Sequence, residues 1–356
     1  MHFDHGEISA EYSGYIRKKN VFILLAFIIL ILVMLISICL GSVQIGFVDV
    51  IKTLLKNTES RQFDLIIWNI RLPQTLTAVV AGAGLAGAGA VMQSVLRNPL
   101  ASPFTLGIAH AAAFGAAFSV MILGSATLTS SLNDTFNISN RMVTLLSAFC
   151  FSMATALLIT YIAKLKGSSP EIMVLTGVAL GSVFMAGTMF LQFFADDVQL
   201  AAMVFWTFGD VARADWEDFW IIFVAIVCIL LYFLANTKSY NSMDMGDETA
   251  KGLGVNSDAV RLTAMMASSC ATAVIISFIG IIGFVGLVAP HIVRRVIGDD
   301  QRFLLPATII VGALILLVAD IVARLILLPH VLPVSIFTSF LGAPVFLYLI
   351  LKGNKK

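Results

Sequence analysis

The chain has 356 residues, of which 59% are hydrophobic and only 12% charged, and its formal net charge is +1. Soluble domains average about 25% charged residues, so disorder, a nucleic-acid-binding domain and an ordinary soluble enzyme are excluded for want of polar surface. The apolar residues fall in long runs, which makes a lipid bilayer the implied solvent. The first run, Val21 to Leu40, follows the basic cluster Arg17, Lys18 and Lys19. It is longer than the roughly 7–15 residues of a signal core and no small-residue cleavage site follows, so it reads as a retained anchor. Further spans are expected near 72–96, 105–125, 142–163, 171–195, 218–235, 262–282, 283–297, 303–328 and 334–351. That makes ten, or nine if the eighth, short and broken by Pro290, is re-entrant.

Charge placement orients this series. With the N-terminus in the cytoplasm, seven basic residues fall outside: Lys52, Lys56, Arg61, Arg71, Arg141, Arg213 and Arg324. The remaining 15 of 22 fall inside, as the positive-inside rule requires. Ten spans keep the last basic cluster, Lys352, Lys355 and Lys356, on that side; nine would not. The second span is rich in small residues: ten of the 13 from Ala78 to Ala90 are Gly or Ala. Small residues let helices approach closely in lipid, so this helix is expected at the centre of the bundle. The external segment 196–217, with Asp196, Asp197, Asp210, Asp215 and Glu217, also carries Trp206 and Trp216. It reads first as an interfacial aromatic belt and second as part of a docking surface.

No phosphate-binding loop, H-E-x-x-H, C-x-x-C or G-x-S-x-G motif occurs. Cys39, Cys150, Cys228 and Cys270 lie in apolar runs without metal-ligand spacing and read as buried small hydrophobes. His2 and His5 flank an acid in the tail, and no two histidines pair at i, i+4, so no metal site is expected. Asp320 is the deepest carboxylate and stands four residues before Arg324, which makes it that arginine's partner rather than an ion carrier. This weakens the alternative function, an ion-coupled secondary transporter of a small solute.

Three stretches carry a resemblance. The first runs from Arg71-Leu72-Pro73 through Gln93 to Arg97-Asn98-Pro99-Leu100-Ala101-Ser102-Pro103 and Leu106-Gly107. The second is Gly283-Phe284-Val285-Gly286-Leu287-Val288-Ala289-Pro290-His291, then Arg294, Leu304-Leu305-Pro306 and Ala319-Asp320-Ile321-Val322-Ala323-Arg324. The third is Leu332-Pro333-Val334, Thr338 and Leu341-Gly342-Ala343-Pro344-Val345-Phe346. Together they resemble the iron-chelate and vitamin B12 permease family, the membrane subunits of a class of ABC importers.

The resemblance implies an all-α, polytopic membrane protein of about ten transmembrane helices, like the B12-importer permeases, with both termini cytoplasmic. A cytoplasmic tail over 1–16 and a single transmembrane permease domain over 17–356 are expected, in the cell membrane of a prokaryote. It implies that helices 2–5 and 7–10 are related by an inverted two-fold repeat. It implies as partners two cytoplasmic ABC ATPase subunits, an extracytoplasmic substrate-binding protein, and a second permease copy or a homologous permease. No nucleic acid partner and no cofactor of its own are expected; ATP and magnesium are used by the ATPases. The cargo implied is an iron chelate, ferric siderophore first, then cobalamin or haem.

The residues that match the family's sites are these. Arg71 and Arg324 would dock the binding protein, with Gln74 standing where the family often has a further arginine and Arg61 or Arg213 as substitutes. Asp247, Glu248, Ala250, Leu253 and Gly254 resemble the segment that couples to the ATPase, a short amphipathic piece that Gly254 can end. Asn98, Leu100, Ser168 and Ser169 fall where the family forms a cytoplasmic gate. His110 stands where smaller residues are usual.

Overall fold

The computed structural model describes residues 10–41, 43–57, 60–125 and 141–353. His2, His5, Lys355 and Lys356, and the tail up to residue 9, lie outside them. Within the described residues the fold is helical, with one isolated bridge between Phe208 and Ile281. The helices are α1 (Ala10–Cys39), α2 (Phe47–Leu54), α3 (Arg61–Asp64), α4 (Leu72–Val95), α5 (Ile108–Met121), α6 (Arg141–Leu165), α7 (Pro170–Phe194) and α8 (Asp197–Thr207). They continue as α9 (Trp216–Ala235), α10 (Thr237–Asp244), α11 (Asp247–Gly252), α12 (Ser257–Ile279), α13 (Val285–Ile297), α14 (Gln301–Leu325) and α15 (Val334–Gly353).

Each expected span falls on a helix, but the helices are unequal. Among the described residues, seven segments are long and apolar enough to cross a membrane: those of α1, α4, α6, α7, α9, α12 and α14. With 14 and 13 residues, α5 and α13 reach only about 20 Å at the usual rise, short of a ~30 Å hydrocarbon core. Because α1 begins at Ala10, the expected boundary between tail and membrane domain at residue 16 falls inside a helix.

The small-residue helix α4 is central, as its composition predicts: every residue from Ala81 to Leu96 is buried. Its glycines set how closely the neighbours come. A Cβ on Gly82 would lie 2.5 Å from the Gly312 carbonyl oxygen of α14, and one on Gly89 would lie 1.9 Å from that of Gly286 in α13. Backbone meets backbone at both crossings, the device by which small residues hold helices together in lipid.

Two prolines leave carbonyls for side chains to satisfy. Pro290 lacks the N–H that would bond the Gly286 carbonyl, and Gln93 Nε2 from α4 donates to that oxygen at 3.4 Å. Before α4, residues Leu65–Arg71 form a π-helical turn. In that register the Trp68 carbonyl would look to residue 73, also a proline, and Trp216 Nε1 donates to it instead at 2.7 Å.

The packing repeats itself. α4 lies against α14 as α12 lies against α6, and α5 lies against α6 and α7 as α13 lies against α14 and α15. Both short helices are preceded by a residue in the left-handed region, Gly107 with φ 77° and Phe284 with φ 67°. They run toward opposite ends of the bundle. This is the arrangement an inverted repeat of helices 2–5 and 7–10 produces.

The segment 196–217 is structured, unlike the loop expected. Asp196 and Gln199 form a capping box that starts α8, and Asp215 and Asp218 form another that starts α9. Trp206 is only 6% exposed and packs among Ala109, Ala112, Ala116, Ala148 and Ile276. It is a core residue and not part of an aromatic belt, because α8 folds inward over the end of α5. The cysteines also correct an expectation: all four are free, but Cys150 and Cys228 are exposed on the bundle's apolar perimeter.

Candidate functional site

Arg71 and Arg324 meet at one end of the bundle, yet neither faces outward: they are 4% and 8% exposed. Arg71 Nη1 donates to the carbonyls of Ile38 at 2.6 Å and Cys39 at 3.0 Å, and Nη2 donates to that of Val43. The first two close α1, where the helix leaves acceptors without partners and carries partial negative charge, and Val43 follows just beyond it. Arg324 Nη2 donates to Ser37 Oγ at 2.7 Å and pairs with Asp320 Oδ2 at 2.9 Å. Gln74 Nε2 donates to Asp320 Oδ1 at 2.8 Å, and Ser37 shares a 2.9 Å hydrogen bond with Thr75.

The docking expectation places both arginines at an outer rim; in this arrangement they are buried and hold the end of α1 to α4 and α14. At Gln74 an amide fits, donating to the Asp320 oxygen that Arg324 leaves free. Asp320 is committed to Arg324 and Gln74, as its spacing predicted. Arg213 is no substitute either, since its guanidinium donates to the carbonyls of Phe205 and Trp206 and caps α8. The exposed cations at this end include Lys52, Lys56 and Arg61, on α2, just beyond it, and on α3, while Arg141, also exposed, is paired with Asp215 and Asp218.

The other end gathers the coupling and gate residues. Gly246 with φ 105° and Gly254 with φ 81° bracket α11. Gly254 N donates to the Lys251 carbonyl and Val255 N to that of Ala250, both at 2.9 Å, the double closure of a Schellman motif. The expected helix stop at Gly254 is where the chain makes it. Ala250 is fully buried while Leu253 is 63% exposed, so these two do not share the single apolar face their spacing suggested. Exposed Met245, Glu248 and Leu253 form an outward corner between α10 and α11, anchored from behind by Ala250.

Asn98 and Leu100 sit in the turn after α4. Asn98 Oδ1 accepts from the Leu100 N–H at 2.9 Å, and Leu100 is 46% exposed. Ser168 is buried, whereas Ser169 is half-buried and its hydroxyl donates to Glu171. What joins the two turns is Arg261 of α12. Its Nε donates to the Val95 carbonyl at 3.0 Å, Nη1 to the Ser168 carbonyl at 2.8 Å and Nη2 to Asp247 Oδ1 at 2.5 Å. Arg97 approaches the same Asp247 oxygen at 3.9 Å.

Arg261 is the residue that sequence reasoning counted only as an inner charge. A signal was present: Ser257, Arg261, Ala264, Met265 and Ser268 form a stripe at helical spacing, and the whole stripe is buried. A charge on such a stripe needs partners. The end of α4 is tied further. Ser94 Oγ donates to Asp244 Oδ1 at 2.8 Å on α10, and Arg294 of α13 donates to Gln93 Oε1 at 3.0 Å. Gln301 Nε2 donates to Asp244 Oδ2 at 2.9 Å and carries the link on to α14. Asp300, just before α14, is held down to about 2, chiefly by hydrogen bonds from the Arg302 side chain.

Comparison with known proteins identifies the family. A family described as the FecCD transport family matches residues 29–352. A Methanocaldococcus jannaschii protein assigned as an ABC transporter permease is 47% identical over 98% of this chain and 99% of its own. The Fe(3+)-citrate import system permease of Bacillus subtilis is 37% identical over 81% of this chain and 82% of its own. Among solved structures, an inward-facing transporter assigned to the metal-chelate ABC type superposes with a TM-score of 0.81. It is 28% identical and the match covers 94% of this chain and 99% of that one.

Proposed function

The chain belongs to the FecCD transport family, and from that premise we propose that its cargo is a ferric siderophore, with cobalamin and haem next in order. It is a multi-span permease subunit of the prokaryotic inner membrane and not an enzyme; such permeases work with ATPase and substrate-binding components. The match across residues 29–352 carries this reading.

The finer assignments rest on the two ends. Two ATPase subunits engage two copies of the permease, each at the α10–α11 corner, where Met245 and Leu253 present apolar surface beside Glu248. The second copy packs along α7, which exposes Leu175, Val178, Val183, Met189 and Phe193 and starts next to the Ser168–Ser169 turn. The binding protein docks at the opposite end through Lys52, Lys56 and Arg61. Exposed charge steers such an encounter and fixes its orientation more than it adds affinity. Asn98, Leu100, Ser168 and Ser169 guard the cytoplasmic mouth. A bulky chelate suits a wide path of low polarity, and the buried carboxylate Asp320 is already paired.

Reconstitution in liposomes with the ATPase and binding-protein subunits tests this. ATP-driven uptake of ferric siderophores should exceed that of cobalamin and haem and survive an ionophore. Uptake that persists without ATP hydrolysis and collapses with the ionophore would make the chain an ion-coupled transporter instead.

A further inference from the structure

Arg261 occupies a singular place in the bundle. It is 1% exposed, and its guanidinium binds three segments that are far apart in sequence. The Val95 carbonyl belongs to the end of α4, the Ser168 carbonyl to the turn between α6 and α7, and Asp247 to the start of α11. The nearest charged group on its own helix, Asp258, lies 3.6 Å from Nη1. Arginine suits this role because its donors form a rigid planar fork that serves several acceptors at once.

The two turns it holds share a second property. Arg97 with φ 47° and Ser168 with φ 56° are non-glycine residues in the left-handed region. Side chains disfavour that region, and such residues persist only where surroundings hold them. Arg97 lies two residues after the carbonyl that Arg261 binds, and Ser168 supplies its own carbonyl. Arg261 therefore holds the second turn at its least relaxed residue and the first turn two residues before its own, through a guanidinium that also reaches the coupling helix.

We propose that Arg261 is the positioning residue through which displacement of α11 opens the two gate turns together. This rests on the permease reading above. A pull on α11 moves Asp247, Asp247 draws the guanidinium, and the guanidinium draws the Val95 and Ser168 carbonyls. One side chain thus keeps the Asn98–Leu100 turn and the Ser168–Ser169 turn in step with the ATPase.

The test uses the complete transporter in proteoliposomes, with ATP hydrolysis and uptake measured in the same preparation. Arg261→Lys keeps a cation beside Asp247 but cannot span three acceptors. It should assemble and hydrolyse ATP while the number of ATP molecules consumed per molecule imported rises about tenfold, the effect of losing a charge-assisted hydrogen bond. Asp247→Asn keeps both carbonyl bonds and removes the charge on α11, so it should raise the ratio too, by a smaller factor. A role confined to stability would lower uptake and hydrolysis in proportion, and an unchanged ratio in either variant overturns the proposal. Should Arg261→Lys fail to assemble, Asp247→Asn alone decides, since Asp247 is only half-buried and the change keeps its size. Absence of ATP-dependent uptake in the unaltered transporter would instead remove the permease reading, which separates the two failures.

Discussion

Arg71 stands at the start of α4 and Arg261 beside its end, and both aim a buried guanidinium at main-chain carbonyls. The acceptors differ. Those of Arg71 are close in sequence: Ile38 and Cys39 end α1, and Val43 lies four residues beyond it. Those of Arg261 belong to α4, to the α6–α7 turn and to α11. The first joint ties down one helix end that has nowhere else to go. The second spans pieces that can separate, and one of them, Asp247, sits on the helix that faces outward. Similar chemistry therefore yields an anchor in one place and a linkage in the other.

The largest expected effect breaks the anchor. Asp320→Ala leaves Arg324 buried without its carboxylate, a change that costs about 3–5 kcal/mol when a buried pair loses one member. Thermal unfolding in detergent should report it. Uptake and ATP hydrolysis should then fall together, in contrast to the changed ratio expected at Arg261. A changed ratio here would erase the distinction between the two joints.

A second prediction concerns which charges at the Arg71 end reach a partner. Reversing Lys52, Lys56 and Arg61 to glutamate should slow association with the binding protein by about tenfold at low salt and invert its salt dependence. Reversing Arg71 should instead destabilise the fold. If the surface triple variant associates at the native rate in a folded protein, docking lies elsewhere.

These differences mark what the sequence could and could not convey. The Gly and Ala run announced the central helix, because close packing in lipid needs small residues whatever the surroundings. The i, i+4 spacing of Asp320 and Arg324 announced their pairing, since a helix fixes that geometry locally. Gly254 announced the end of α11 for the same reason. Arg71 misled because its burial depends on α1, which ends 32 residues earlier in the chain, and nothing local reports that contact. Arg261 was silent for a like reason: its three acceptors come from three other segments. Trp206 looked interfacial beside its acidic neighbours, yet capping boxes turned those acids into helix starts and folded α8 inward.

A smaller effect compares the two carbonyls left open by proline. Trp216 fills the Trp68 carbonyl at 2.7 Å, and Gln93 fills that of Gly286 at 3.4 Å. Trp216→Phe keeps the ring and removes the donor, so it should cost about 1–2 kcal/mol, as an unsatisfied buried acceptor does. Equal losses from Trp216→Phe and from Gln93→Glu, which keeps the acceptor for Arg294, measured by chemical unfolding, would show that the longer bond matters as much as the shorter.

The smallest effect is a dependence on acid at the Arg261 end. Asp300 accepts from the Arg302 side chain and from Asn241 Nδ2, which ties α10 to the start of α14. Those donors favour the ionised carboxylate and lower its pKa from 3.8 to about 2. A depressed carboxylate pKa stabilises the fold above the unfolded value and ceases to do so as pH falls through the folded one. The contribution of Asp300 is thus complete above about pH 4 and lost on the way to about pH 2. Amide exchange in α10 should speed up over that interval in the native protein, and Asp300→Asn should flatten the dependence while raising exchange at neutral pH. Because α10 leads into the corner proposed above for the ATPase, a flat profile in the native protein would mean that this corner is held by Ser94 and Gln301 through Asp244.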